Sequence, residues 1–213
     1  MTPAERLSAY IAEGRLVRNA WTGTGTGAEG RETACLLAAM SPDVARARDA
    51  GACPAEIMPA WLAHLTPWMD DAGSVDAWPA MVRRYASLAS RWHVLSPAAW
   101  DRLDYRCRLI AVEEAGRQYD HAAFPTVAAA VERVRELLVR AVAGGHPSAG
   151  DWTAATAEAW ARAAAEAAAV EALDAGAVDA GAVEAATRAA TAVADRITAA
   201  MLDAVEDEIQ EAT

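Results

Sequence analysis

MPAWLAHLTPWMDDAGSVDAWPAMVRRYASLASRWHVLSPAAWDRLDY, residues 58–105, is the stretch whose reading decides the fold. Five of the chain's eight tryptophans lie in it: Trp61, Trp68, Trp78, Trp92 and Trp100. Met58, Trp61, Leu62, Leu65 and Met69 recur at steps of three and four, the period of a helix with one apolar face. Trp78, Val82, Tyr85, Ala89 and Trp92 repeat the pattern, and Arg83 and Arg84 beside them are expected in solvent. Trp100, Leu103, Cys107 and Ile110 mark a third helix over 96–116. These periods predict helices packing large aromatics into one core.

Upstream, Thr2-Pro3-Ala4-Glu5 is a helix start: a capping hydroxyl, a proline in the first turn and a glutamate three residues after the cap. Ser41-Pro42, Thr66-Pro67 and Ser96-Pro97 repeat the device and predict further starts, so Pro67 is expected to divide two short helices. Residues 16–21 read as extended, and Gly23, Gly25, Gly27 and Gly30 as a surface loop. The glycine string lacks the GK[ST] and the strand–turn–helix frame of a phosphate site. A helix over 32–40 follows, with Leu36, Leu37 and Met40 inward.

Downstream, Val127, Val131, Val134, Leu138 and Val142 predict a helix over 124–143, ended by Gly144-Gly145-His146-Pro147. Composition turns alanine-rich beyond this point. The sequence therefore divides into a Trp-rich helical domain, 1–146, and an acidic Ala-rich helical hairpin, 147–213. In the hairpin Trp152 and Trp160 anchor a helix to about Leu173. A turn is expected at the tandem DAGAV repeat with Gly176 and Gly181, and a last helix carries Val193, Ile197, Met201, Val205 and Ile209. The predicted fold is all-α: a Trp-rich helical bundle with a C-terminal Ala-rich acidic helical pair.

Net charge is −11, every basic side chain is arginine, and the charge is uneven. Residues 151–213 hold 13 acids and 3 arginines, against 17 and 16 in residues 1–150. Such a tail repels phosphate, which argues against direct nucleic-acid binding and for a basic partner, with a solvated helix face as the plain alternative. Its carboxylates are expected to face outward. Cys35, Cys53 and Cys107 are odd in number and lack metal-ligand spacing, so free thiols in a reducing compartment are expected. The N-terminus lacks an apolar signal core, and no apolar run approaches the roughly 20 residues of a membrane span. The expected location is the cytoplasm, with no membrane partner.

His64 and His93 lie beside apolar stripes without an acid or thiol at helical spacing, and Asp70, Asp71 and Asp76 lack the alternation of a calcium loop. No catalytic residue, metal site or cofactor is expected. Cys107, between Arg106 and Arg108, falls on an inward stripe, so burial is expected rather than activation. The candidate partner-binding residues are the aromatics Trp21, Trp68 and Trp100 with the carboxylates Asp70, Asp71, Glu184, Asp203, Glu206, Asp207 and Glu208.

ACLLAAMSPDVA (34–45) and CPAEIMPAWLAHLTPWMDDAGSVDAW (53–78), with the alanine- and tryptophan-bearing tail, resemble uncharacterised helical proteins encoded in bacterial phages and prophages. The resemblance covers most of the chain and brings no active site with it, so no residue role transfers. The tail is also similar, in composition, to helical immunity proteins of bacterial toxin systems. These likenesses imply a non-enzymatic interaction protein, for instance a phage-encoded inhibitor of a host CRISPR-type nucleoprotein complex. The alternatives are an immunity or self-assembling scaffold protein, dimeric through its alanine faces, and a metal-dependent enzyme using His64, Asp70 and Asp71.

Overall fold

The computed structural model describes residues 1–24, 31–117, 125–155 and 180–213. The expected glycine loop over 25–30, Phe124, and the helix and turn over 156–179 with Trp160 lie outside these residues. The fold is all-α, with one two-stranded antiparallel sheet among the described residues.

In chain order the elements are α1 (Pro3–Ala12), β1 (Thr22–Thr24), β2 (Glu32–Ala34), α2 (Leu36–Met40), α3 (Pro42–Ala47), α4 (Ala60–Asp71), α5 (Trp78–Ala89), α6 (Pro97–Arg117), α7 (Pro125–Val142), α8 (149–155) and α9 (Ala180–Glu211). Short 3-10 turns cover Ala50–Ala52 and Trp92–Val94.

The chain forms two compact units, 1–100 with 191–213, and 101–190. This division does not fall at the Gly144–Pro147 stop. The stripe of the last helix accounts for the difference. Ile197, Met201, Leu202, Val205 and Ile209 are buried, so the final 23 residues complete the core of the first unit. The acids follow them. The first unit carries 16 acids and 10 arginines, the second 14 and 9, so the charge is nearly shared once the chain is folded.

Three Ser/Thr-Pro pairs start helices as expected. Thr2 and Glu5 form a reciprocal capping box, Ser41 Oγ accepts from Val44 N–H, and Ser96 Oγ accepts from Ala99 N–H. Thr66-Pro67 does not. Pro67 lies inside α4, which continues to Asp71, because the helix buries Leu62, Ala63, Thr66, Met69 and Asp70 against its neighbours. That burial outweighs the one backbone bond a proline removes. Thr66 spends its hydroxyl on the Leu62 carbonyl at 2.8 Å and on Tyr85 Oη at 2.8 Å.

Residues 32–34, expected to be helical, form β2 instead, pairing Thr22 with Ala34 and Thr24 with Glu32. Helix begins only after Cys35, whose sulfur accepts from Ala38 N–H. Trp92 falls just past the end of α5 yet keeps its place in the core. Its ring meets Tyr85 at 5.4 Å and Trp100 at 5.7 Å, edge to face, and Trp100 meets Trp61 at 6.3 Å.

In the second unit Leu103, Cys107, Ala130, Leu137, Leu138, Ala141 and Ala155 are buried. Tyr105 stacks on Trp152 with rings nearly parallel, 6.1 Å apart. Ser148 and Asp151 cap α8 reciprocally: Ser148 N–H donates to Asp151 Oδ2 and Asp151 N–H to Ser148 Oγ.

Burial pushes the Cys35 thiol up to about 11 and the Cys107 thiol up to about 12. Arg106 beside Cys107 opposes this but is outweighed. A thiol reagent at pH 8 is therefore expected to label half-buried Cys53 first and the other two only on unfolding. Mass spectrometry of the native protein checks this; early Cys107 labelling would contradict it.

Candidate interaction site

The polar residues expected to meet a partner separate into two groups, one structural and one at the surface. Asp70 heads the first. It is 1% exposed at the end of α4. Its Oδ2 accepts from Leu36 N–H at 3.0 Å, which caps α2 from a different segment, and its Oδ1 accepts from Trp78 Nε1–H at 2.6 Å. Burial holds this carboxyl above the usual range, and the two donated hydrogen bonds oppose that. Arg18 closes the same helix end, donating to the carbonyls of Asp70, Asp71 and Gly73 at 2.9, 2.7 and 2.6 Å. Asp71 Oδ1 accepts from the backbone N–H of Asn19, which sits in the left-handed region at φ 57°.

Asp70 is thus corrected from a partner-binding residue to a structural one, and half-buried Asp71 is occupied by the same junction. His64 is exposed, about 120° around α4 from buried Asp70, so this helix does not gather His64 and Asp70 on one face. Among the described residues no group of three or more His, Cys, Asp or Glu side chains is arranged to hold a metal ion.

The aromatics divide as well. Trp100 is half-buried, with one side taken up by edge contacts to Trp61 and Trp92. Trp21 is half-buried, and its carbonyl accepts from Cys35 N–H. Trp68 is 37% exposed and is the tryptophan of this set that presents most to solvent.

The acids of α9 make the surface group. Asp203, Asp207 and Glu211, spaced four apart, are all exposed. Glu208, about 100° around the helix from Asp207, is 3% exposed and is corrected to a buried residue. Asp203 and Glu206 face Arg84 of α5, whose Nη2 donates to Asp203 Oδ1 at 2.6 Å and Glu206 Oε2 at 2.7 Å. The expectation of a wholly outward acidic face, with Arg84 in solvent, is corrected to this extent: two of its carboxylates share one arginine. Glu184, in the second unit, is exposed and pairs with Arg188 at 2.6 Å.

Beside Arg84 the first unit carries a groove of about 250 Å³. Met69, Trp78, Met81 and Leu202 form its apolar walls, Ser74 and Asp195 bring polar groups to it, and Thr198 lines it with its hydroxyl oxygen buried. Asp195 Oδ1 accepts from Ser74 N–H at 2.8 Å. Gly73 leaves room for that carboxylate, since a Cβ on it would lie 2.5 Å from the same oxygen and displace it. Ser74, Asp195 and Thr198 did not stand out in the sequence, and Arg84 did so only as a residue expected in solvent. The available signal was the mixed polarity of the flanks of two good stripes.

Compared with protein-family models, curated proteins and solved structures, the chain shows no match.

Proposed function

We propose that this chain is a non-enzymatic interaction protein that offers the carboxylates ending α9 to a basic partner. A nucleic-acid-binding surface, such as the channel of a CRISPR-type defence complex, is the partner its phage-like resemblance points to. The observation carrying the reading is the placement of charge at that helix end. Asp203, Glu206, Asp207, Glu208 and Glu211 crowd the last nine residues of α9, and its last turn holds no basic side chain.

Local physics opposes this arrangement. The C-terminal end of a helix favours cations by about 0.3–1 kcal/mol per charge, and like charges four apart cost about 0.2–0.5 kcal/mol per pair. Arg84 offsets part of the cost for Asp203 and Glu206. A cationic surface docked on Asp207 and Glu211 offsets more, and it meets charge of the same sign as phosphate.

Reversing these charges separates stability from binding. Asp207→Arg with Glu211→Arg is expected to stabilise the isolated protein by about 0.5–1 kcal/mol in urea unfolding. The same pair is expected to abolish salt-sensitive capture of a basic, nucleic-acid-handling protein from bacterial lysate. Equal capture by wild type and variant, or capture of no such protein, refutes the reading.

A further inference from the structure

The groove between α5 and the C-terminal part of α9 joins three features that packing alone leaves unexplained. The first is its lining. Two methionines, Met69 and Met81, face a tryptophan and Leu202, and methionine adapts its shape to whatever it meets. Trp78 is held in place by its Nε1–H bond to Asp70, so one wall is rigid.

The second is Thr198. Its side chain is 4% exposed on the groove wall, and its hydroxyl has no hydrogen-bond partner. A buried hydroxyl without a partner is unfavourable, and threonine on a helix exchanges hydroxyl and methyl by one χ1 rotation. A polar atom in the groove gives that rotation a partner.

The third is charge. Asp195 lies in the wall and receives a neutral donor, Ser74 N–H, which leaves its negative charge in place. At the other end Arg84 is shared by Asp203 and Glu206. Asp195 and Arg84 are the charged residues of the lining, and with Arg84 engaged by Asp203 and Glu206 outside it, Asp195 is the charge left to a ligand, which favours a cation over an anion.

We propose that this groove binds a compact cationic amphiphile: an apolar ring bearing a primary amine on a short linker. The ring lies between Met69, Trp78, Met81 and Leu202. The ammonium group donates to Asp195, and the Thr198 hydroxyl, turned inward, accepts from it. A volume of about 250 Å³ falls just below the usual range of ligand pockets and suits a small molecule of about ten heavy atoms.

The test uses three near-isosteric probes on the full chain labelled with 13C-methyl methionine: 3-phenylpropylamine, 3-phenyl-1-propanol and 3-phenylpropanoate. The amine is expected to shift the Met69 and Met81 methyl signals saturably. The alcohol is expected to bind about fivefold more weakly and the carboxylate not at all. Ala199→Leu, at an exposed helix position lining the groove, is expected to remove the shifts while leaving the melting temperature unchanged. Thr198→Val is expected to weaken the amine about three- to tenfold without lowering thermal stability. The assignment is overturned by absence of saturable shifts with the amine, by carboxylate binding as tight as amine binding, or by full amine affinity in either variant.

Discussion

Replacing Asp70 with alanine is expected to destabilise the protein by about 3 kcal/mol, one of two large effects that would expose how the first unit is held together. The substitution removes the acceptor for Leu36 N–H and for Trp78 Nε1–H, both bonded to a carboxylate that is 1% exposed. The buried Leu36 donor is left without a protein acceptor, and Arg18 loses an opposing charge. Asp70→Asn keeps one acceptor but turns an NH2 towards a donor, so it is expected to lose less, about 1–2 kcal/mol.

The pH dependence has a definite sign. Burial raises the folded-state pKa of Asp70 above the ordinary carboxylate value. In the window above that value the folded state holds a proton the unfolded state has released. Stability therefore falls as pH rises through the window and flattens beyond the folded pKa. Urea unfolding of wild type and Asp70→Asn between pH 4 and 7 is expected to show this slope in the wild type and its loss in the variant. A loss under 1 kcal/mol in Asp70→Ala, or identical slopes, would remove Asp70 from the centre of this account.

The second large effect concerns the end of the chain. Ile209, 1% exposed, is the last member of the stripe Ile197, Met201, Val205 and Ile209. Truncation to alanine is expected to cost about 2–4 kcal/mol, the range for a buried isoleucine whose surroundings do not collapse into the space. Gln210→Ala, one residue on and exposed, is expected to cost under about 0.5 kcal/mol. If the last 23 residues belong to the first unit, Ile209→Ala lowers its urea midpoint, read from the fluorescence of the tryptophans around Tyr85. A variant that frays the terminus and leaves that midpoint unchanged would contradict the division.

Much of the scaffold was legible in residue spacing. The stripes supplied the buried faces, Leu62 and Met69 on α4, Val82 and Tyr85 on α5, and Ile197, Met201, Val205 and Ile209 on α9, while Trp61, Leu65, Trp78 and Ala89 stay half-buried, because a 3.6-residue period leaves a helix one way to hide its apolar side. Capping at Thr2, Ser41 and Ser96 was readable because the groups involved lie within three residues of each other. The same local rule failed at Thr66-Pro67, where a buried face carried the helix through the proline. It failed again at 32–34, where the partner strand lies ten residues upstream.

The candidate site was legible only in part. The acids at 203–211 are visible in any reading of the chain, and so is their conflict with the helix end. Which of them face solvent was not: Glu208 turns inward and Arg84 claims Asp203 and Glu206, across 119 and 122 residues of sequence. Asp70 misled for the same reason, since two adjacent aspartates in a polar turn look solvated until Leu36, Trp78 and Arg18 arrive from elsewhere.

By itself, then, the sequence determined most of the helices among the described residues, the apolar residues that face inward and the acidic end, all consequences of neighbours a few residues apart. The tertiary structure alone decided the burial of Asp70, the joining of 191–213 to the first unit, and the groove with its unpartnered Thr198 hydroxyl. Each of those depends on which distant segment fills the space beside a side chain, and helical periodicity carries no record of that.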